Sequence, residues 1–122
     1  MYRTGLRRDL SAQHFFDVPG PEGEAHSHPF VVELIVTGDG LDASGYLVDL
    51  DAMAAALEST LGRLEGRLLN DLPEFSGTPP SVENMARIIW EMTARRLPAK
   101  RASVTVWEGD DAWASYEARI GV

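Results

Sequence analysis

The chain predicts an α+β domain in which a β-hairpin, two helices and a second β-hairpin follow one another. Three observations carry this. The N-terminal and C-terminal stretches alternate apolar and polar residues with the period of strands. Between them lie two stretches whose apolar residues recur with the period of a helix. The turn Gly109-Asp110-Asp111 is short enough to join two antiparallel neighbours. The order β-β-α-α-β-β then closes as a four-stranded antiparallel sheet with both helices on one face, a single domain over residues 1–122.

Tyr2 to Phe16 reads as the first strand, long and imperfectly alternating, with Gly5 as a bulge position. Asp17 to Glu24 is a loop by its proline and glycine content. A second strand runs from about His26 to Thr37, rich in β-branched and aromatic residues. Gly38 to Gly45 turns, and Tyr46-Leu47-Val48 is a short extended piece. Asp49 caps a helix to about Leu64, with Met53, Leu57, Leu61 and Leu64 in one apolar stripe. A proline-rich loop from Asn70 to Pro80 follows. Ser81 then caps a second helix with Met85, Ile88, Ile89 and Met92 inward, ending near Leu97-Pro98. Lys100 to Glu108 and Ala112 to Ile120 complete the sheet. Val104, Val106 and Trp113 suggest more apolar strand surface than two helices cover, and oligomerisation is the natural remedy.

Composition narrows the function classes. A chain of 122 residues, 44% hydrophobic and 25% charged, is an ordinary globular protein large enough to bury a core. It holds no apolar run of membrane-spanning length, and Met1 to Asp9 does not read as a secretory signal. Cytoplasmic location is the default. The net charge of −8 argues against a nucleic-acid partner. Arg7-Arg8, Arg95-Arg96 and Lys100-Arg101 read as solvated faces, with a basic pocket for a phosphorylated small molecule as the alternative. With no cysteine, any metal site must use nitrogen and oxygen ligands, and cysteine catalysis is excluded.

All three histidines fall in two short segments, His14 in the first strand and His26-Ser27-His28 at the head of the second. Alternation along a strand points His26 and His28 to the same side, roughly 7 Å apart. A third ligand from the neighbouring strand, His14, completes a set of neutral imidazoles. That set suits zinc and leaves a fourth position open. The plainer reading makes the triplet a surface accident and His14 a satisfied, half-buried ring.

Six pieces of the chain, in order, now show a likeness. They are His14-Phe15, His26-Ser27-His28, Gly45-Tyr46-Leu47-Val48-Asp49-Leu50, Leu64-Glu65-Gly66-Arg67-Leu68-Leu69-Asn70, Pro80-Ser81-Val82-Glu83-Asn84-Met85-Ala86 and Trp107-Glu108. The chain resembles, over nearly its whole length, the 6-pyruvoyl-tetrahydropterin synthase and 6-carboxytetrahydropterin synthase family of the tunnelling fold. The resemblance implies trimers and hexamers with sites between subunits, and zinc on His14, His26 and His28. It also implies that Glu108 anchors a pterin ring, two acceptor oxygens meeting two adjacent N–H donors. Glu83 stands either as a substrate contact or as a first-turn acid favoured by the helix dipole.

The chain also departs from the family pattern. The family's cysteine before the HxH is absent, and its Asp-His pair reads Glu65-Gly66. Glu22, four residues before His26, stands where relatives place the cysteine, with Glu24 near it; the plainer reading makes both simply loop acids of an acidic protein. The family includes a subgroup with glutamate at that position. Two functions are therefore expected in competition. One is a zinc-dependent enzyme acting on the side chain of a dihydroneopterin (triphosphate)-like substrate, with Glu22 and Glu65 as altered proton-transfer residues. The other is a catalytically impaired, zinc-containing oligomer that binds a pterin or purine. A weaker third is a protein of the same fold with an unrelated ligand.

Overall fold

The structure, a computed structural model, describes residues 1–121. Its elements are β1 (Tyr2–His14), β2 (His26–Gly38), α1 (Leu50–Leu64), α2 (Val82–Ala94), β3 (Arg101–Glu108) and β4 (Ala112–Arg119). The strands form one antiparallel sheet in the order β1-β2-β3-β4, so the expected α+β architecture stands. Single-turn 3₁₀ segments at Pro21–Gly23, Leu69–Asp71 and Pro73–Phe75 punctuate the loops.

Period-two alternation sorts the sheet into two faces. Leu10, Ala12, Phe30, Val32, Leu34, Val36, Ala102, Val104 and Val106 turn inward and are buried. Against them α2 lies over β3 and β4, while α1 packs on α2 and reaches β1. Asp49 caps α1 by accepting from the Asp51 and Ala52 amides, and Ser81 caps α2 by accepting from Asn84 N–H. A buried hydroxyl contact, Thr60 to Thr93 at 2.8 Å, joins the two helices.

Four local expectations are corrected. Val104 and Val106 lie fully buried under the helices, so they add no surplus apolar surface. The open face instead holds the tilted Trp107–Trp113 pair, with Trp113 56% exposed, and the ion pairs Arg7–Glu33 and Arg101–Glu117. Gly5 forms no bulge: pairing runs unbroken from Tyr2↔Gly38 to His14↔His26, with Gly5 opposite Ile35. Tyr46-Leu47-Val48 joins no strand, because the Asp42 carboxylate captures the Ser44 and Tyr46 amides and curls the segment. The first strand ends at His14 and α2 at Ala94, each short of its expected end.

The outer edge of β1 is closed near its end. Gly66 N–H donates to Ser11 O at 2.7 Å, Gln13 N–H donates to Arg67 O at 2.8 Å, and Gln13 bridges Leu68. This fastens the segment after α1 alongside the histidine-bearing end of the sheet.

Candidate metal centre

β1 and β2 project past the end of β3, since Phe30 is opposite Glu108 while the β1–β2 ladder continues to His26. On this overhang His14 is the cross-strand partner of His26, and His28 sits opposite Ala12 on the same inward side. The three rings meet edge to face, at centroid distances of 4.6 Å (His14–His26), 4.8 Å (His26–His28) and 5.2 Å (His14–His28). One nitrogen of each lies within 4.8 Å of the others. Phe16 and Phe30 pack against the His14 ring, which is 1% exposed.

Backbone carbonyls set which nitrogen faces inward. His14 Nδ1 is 3.0 Å from Pro80 O, and His26 Nδ1 is 2.8 Å from Glu24 O. A carbonyl only accepts, so each Nδ1 carries a hydrogen, and in the neutral ring Nε2 is then the nitrogen with the lone pair. Both Nε2 atoms are buried without a hydrogen-bond partner among the described residues. Burial holds the His14 imidazole below the usual histidine range. His26 and His28 push the same way, against the Pro80 hydrogen bond and the charge of Glu108. Three convergent imidazoles, two of them with the second ring nitrogen on a backbone carbonyl, make the donor set of a metal site. The residues fit zinc: bonds of about 2.0–2.1 Å need donors roughly 3.4 Å apart, within reach by small side-chain rotations.

The remaining candidates are distributed unevenly. Glu22, on the Pro21–Gly23 turn, brings Oε2 to 3.8 Å from His26 Nε2. Glu24 contributes its carbonyl rather than a side-chain contact. Glu108 ends β3 on the same side as the triad, one strand across, and acts electrostatically on His14. Glu83 lies exposed in the first turn of α2. Glu65 turns to the outer edge of β1, where its Oε2 and Oε1 accept from Ser11 N–H at 3.0 and 3.3 Å. Sequence reading gave no role to the Pro80 carbonyl or to the Asn70 and Asn84 side chains that bracket His14. Their only sequence signal is their place inside the Leu69-Asn70 and Glu83-Asn84 pieces.

Such a sheet, with two helices on one face and three imidazoles on a strand overhang, defines a tunnelling-fold protein with a candidate metal centre. The profile of the 6-pyruvoyl tetrahydropterin synthase family matches residues 5–119, and the chain belongs to that family. It is 32% identical over 98 residues to the 6-carboxy-5,6,7,8-tetrahydropterin synthase of Bacillus subtilis, a match spanning 74% of this chain and 65% of that protein. The structure of Caenorhabditis elegans 6-pyruvoyl tetrahydropterin synthase superposes with a TM-score of 0.78 at 20% identity, covering 97% of each chain. The Plasmodium vivax 6-pyruvoyl tetrahydropterin synthase gives 0.78 at 15% identity, over 98% of this chain and 100% of that one. At these identities the two likenesses speak for the fold.

Proposed function

We propose that the chain is a zinc-dependent lyase that processes the side chain of a dihydroneopterin- or dihydroneopterin-triphosphate-like substrate. The observation that carries this is the inward convergence of the His14, His26 and His28 nitrogens, two of them buried and unpartnered. Zinc, when bound there, supplies Lewis-acid polarisation of a substrate oxygen and acidifies the adjacent C–H or O–H. Glu22, beside His26, takes the proton. Glu108 accepts the amino-pyrimidine N–H donors and orients the ring toward the triad. Glu83 serves as a further substrate contact at the start of α2. Glu65 contributes from the β1 edge to a site that a second copy completes, in a trimer-based assembly, most simply a hexamer.

The acidic net charge fits a small-molecule partner rather than nucleic acid. Among the described residues no helix is long and apolar enough to cross a membrane. Mass spectrometry of products from zinc-loaded protein with 7,8-dihydroneopterin and its triphosphate tests the activity. A new pterin absent from the metal-free control supports it, and its mass identifies the broken bond.

One observation favours a second reading, a catalytically impaired zinc protein that binds a pterin or purine. Glu65 is engaged by the Ser11 amide, and Gly66 offers no imidazole at the position where the family carries histidine. Calorimetry that finds tight binding of a dihydropterin recovered unaltered would favour this reading over the lyase.

A further inference from the structure

The β1–β2 ladder stops at His14↔His26, so Phe15 has no strand partner although it adjoins the most buried of the three rings. A side chain takes the missing strand's place. Phe15 N–H donates to Asn70 Oδ1 at 3.0 Å, and Asn70 Nδ2 donates back to Phe15 O at 3.0 Å. One amide thus satisfies both backbone groups, as a ladder residue would. Asn70 is itself anchored. It lies on the Leu69–Asp71 turn, followed by Pro73–Phe75, where Glu74 receives two hydrogen bonds from Arg63 of α1.

A second amide works from the other side of the ring. The Pro80 carbonyl that receives His14 Nδ1–H belongs to a segment in which Pro79 and Pro80 restrict φ. Asn84 Nδ2 donates to Pro79 O at 2.9 Å, and Ser81 N–H donates to the same oxygen at 2.9 Å. Asn84 N–H donates in turn to Ser81 Oγ at 3.1 Å. The start of α2 is therefore tied back on the carbonyl of Pro79, the residue immediately before the Pro80 carbonyl that orients the imidazole.

We propose that Asn70 and Asn84 are positioning residues for the metal centre, holding the backbone beside His14 and the carbonyl opposite it so that Nε2 faces His26 and His28. This rests on the metal-centre reading above. Neither amide is among the converging ligand atoms of His14, His26 and His28. Losing Asn70 frees the end of β1 to fray, and losing Asn84 lets the Pro80 carbonyl turn away from Nδ1.

The test compares full-length wild type, Asn70→Ala, Asn84→Ala and Thr93→Val, the last breaking only the hydroxyl contact between helices. Zinc affinity is read by chelator competition and ligand geometry by the visible spectrum of the cobalt form. Hydrogen exchange at the Phe15 amide is read in metal-free protein. The expectation is zinc binding about ten- to a hundred-fold weaker in both asparagine variants, an altered cobalt spectrum, and faster Phe15 exchange in Asn70→Ala. Thr93→Val should lose melting temperature and keep its affinity. If an alanine variant does not fold, Asn70→Asp and Asn84→Asp, which keep the volume but lose the donor, take its place.

Asparagine variants that melt earlier yet bind zinc as wild type does would overturn the positioning role and leave the metal centre standing. Wild type that binds no more zinc than His26→Ala would overturn both.

Discussion

His14 and His26 face each other directly across β1 and β2, their ring centroids 4.6 Å apart. The pairing register creates this contact, because a slip of one residue would send His26 and His28 to the opposite face together. If the three imidazoles hold zinc as proposed, His26→Ala or His28→Ala should lower zinc affinity by on the order of a hundred-fold or more, since each would remove a ligand outright. On the same reading, zinc should raise the melting temperature of wild type and not of these variants, because linked stabilisation scales with affinity. Calorimetric melting with and without zinc checks both expectations together.

Glu108 makes a separate prediction because it sits one strand away from the ligands. If Glu108 anchors a pterin ring as proposed, Glu108→Gln replaces one acceptor oxygen with a donor that would oppose the pterin N–H edge. Pterin binding should weaken by about ten- to a hundred-fold, the range for a charged hydrogen bond of roughly 1.5–3 kcal/mol. Zinc stoichiometry should be unchanged. Titration calorimetry with a dihydropterin separates the two, and equal pterin affinity in wild type and variant would remove the anchor role.

The parts of this molecule that were legible in its sequence are those with local periodicity. Alternation placed His26, His28 and Phe30 on one side, and the Met53-Leu57-Leu61-Leu64 stripe is buried as its spacing requires. Asp49 and Ser81 were legible as caps because capping is a matter of neighbouring amides. The Asn70 clamp on Phe15 and the Pro80 carbonyl on His14 were not legible: they join residues 55 and 66 positions apart. No propensity reports such a meeting. Val104 and Val106 went to the wrong account for a related reason, since alternation gives two faces but not which of them the helices cover.

Gly23 tests how tightly the Glu22 loop is built. Phe16 N–H donates to Glu22 O at 2.8 Å and Gly23 N–H to Gly20 O at 3.0 Å, folding the loop back on itself. A Cβ at Gly23 would overlap the Val18 carbonyl oxygen, which is backbone and cannot rotate aside. Gly23→Ala should therefore cost about 1–3 kcal/mol through overpacking. It should also shift Glu22 relative to His26. Denaturant melts check the first effect, and turnover at saturating substrate checks the second.

The Arg63–Glu74 pair gives a pH expectation. Two hydrogen bonds from the Arg63 guanidinium, at 3.0 and 3.1 Å, hold the Glu74 carboxyl below the usual glutamate range. A carboxyl whose folded pKa is depressed adds stability above its unfolded value of 4.5. That stability is lost as pH falls through the lower folded value. Both side chains are partly solvated, so the effect is small: Glu74→Gln should melt about 1–3 °C below wild type at neutral pH. The difference should disappear in acid. A gap that widens on acidification would reverse the sign and sink the assignment.

Glu22 is the residue on which the enzymatic reading turns. Its carboxylate stands 3.8 Å from His26 Nε2, too far for a hydrogen bond but beside the triad. The chain has no cysteine, and among the described residues Glu22 is the one carboxylate within 4.0 Å of a histidine nitrogen. Glu22→Gln preserves shape and removes the base. If Glu22 takes the proton, kcat should fall by about 10²–10⁴-fold, while KM, zinc affinity and melting temperature stay near wild type. Removing a zinc ligand would instead lower affinity and turnover together, so the pattern separates base from ligand. Turnover of every accepted pterin unchanged in Glu22→Gln would end the case for Glu22 as base and shift the balance to the binding protein.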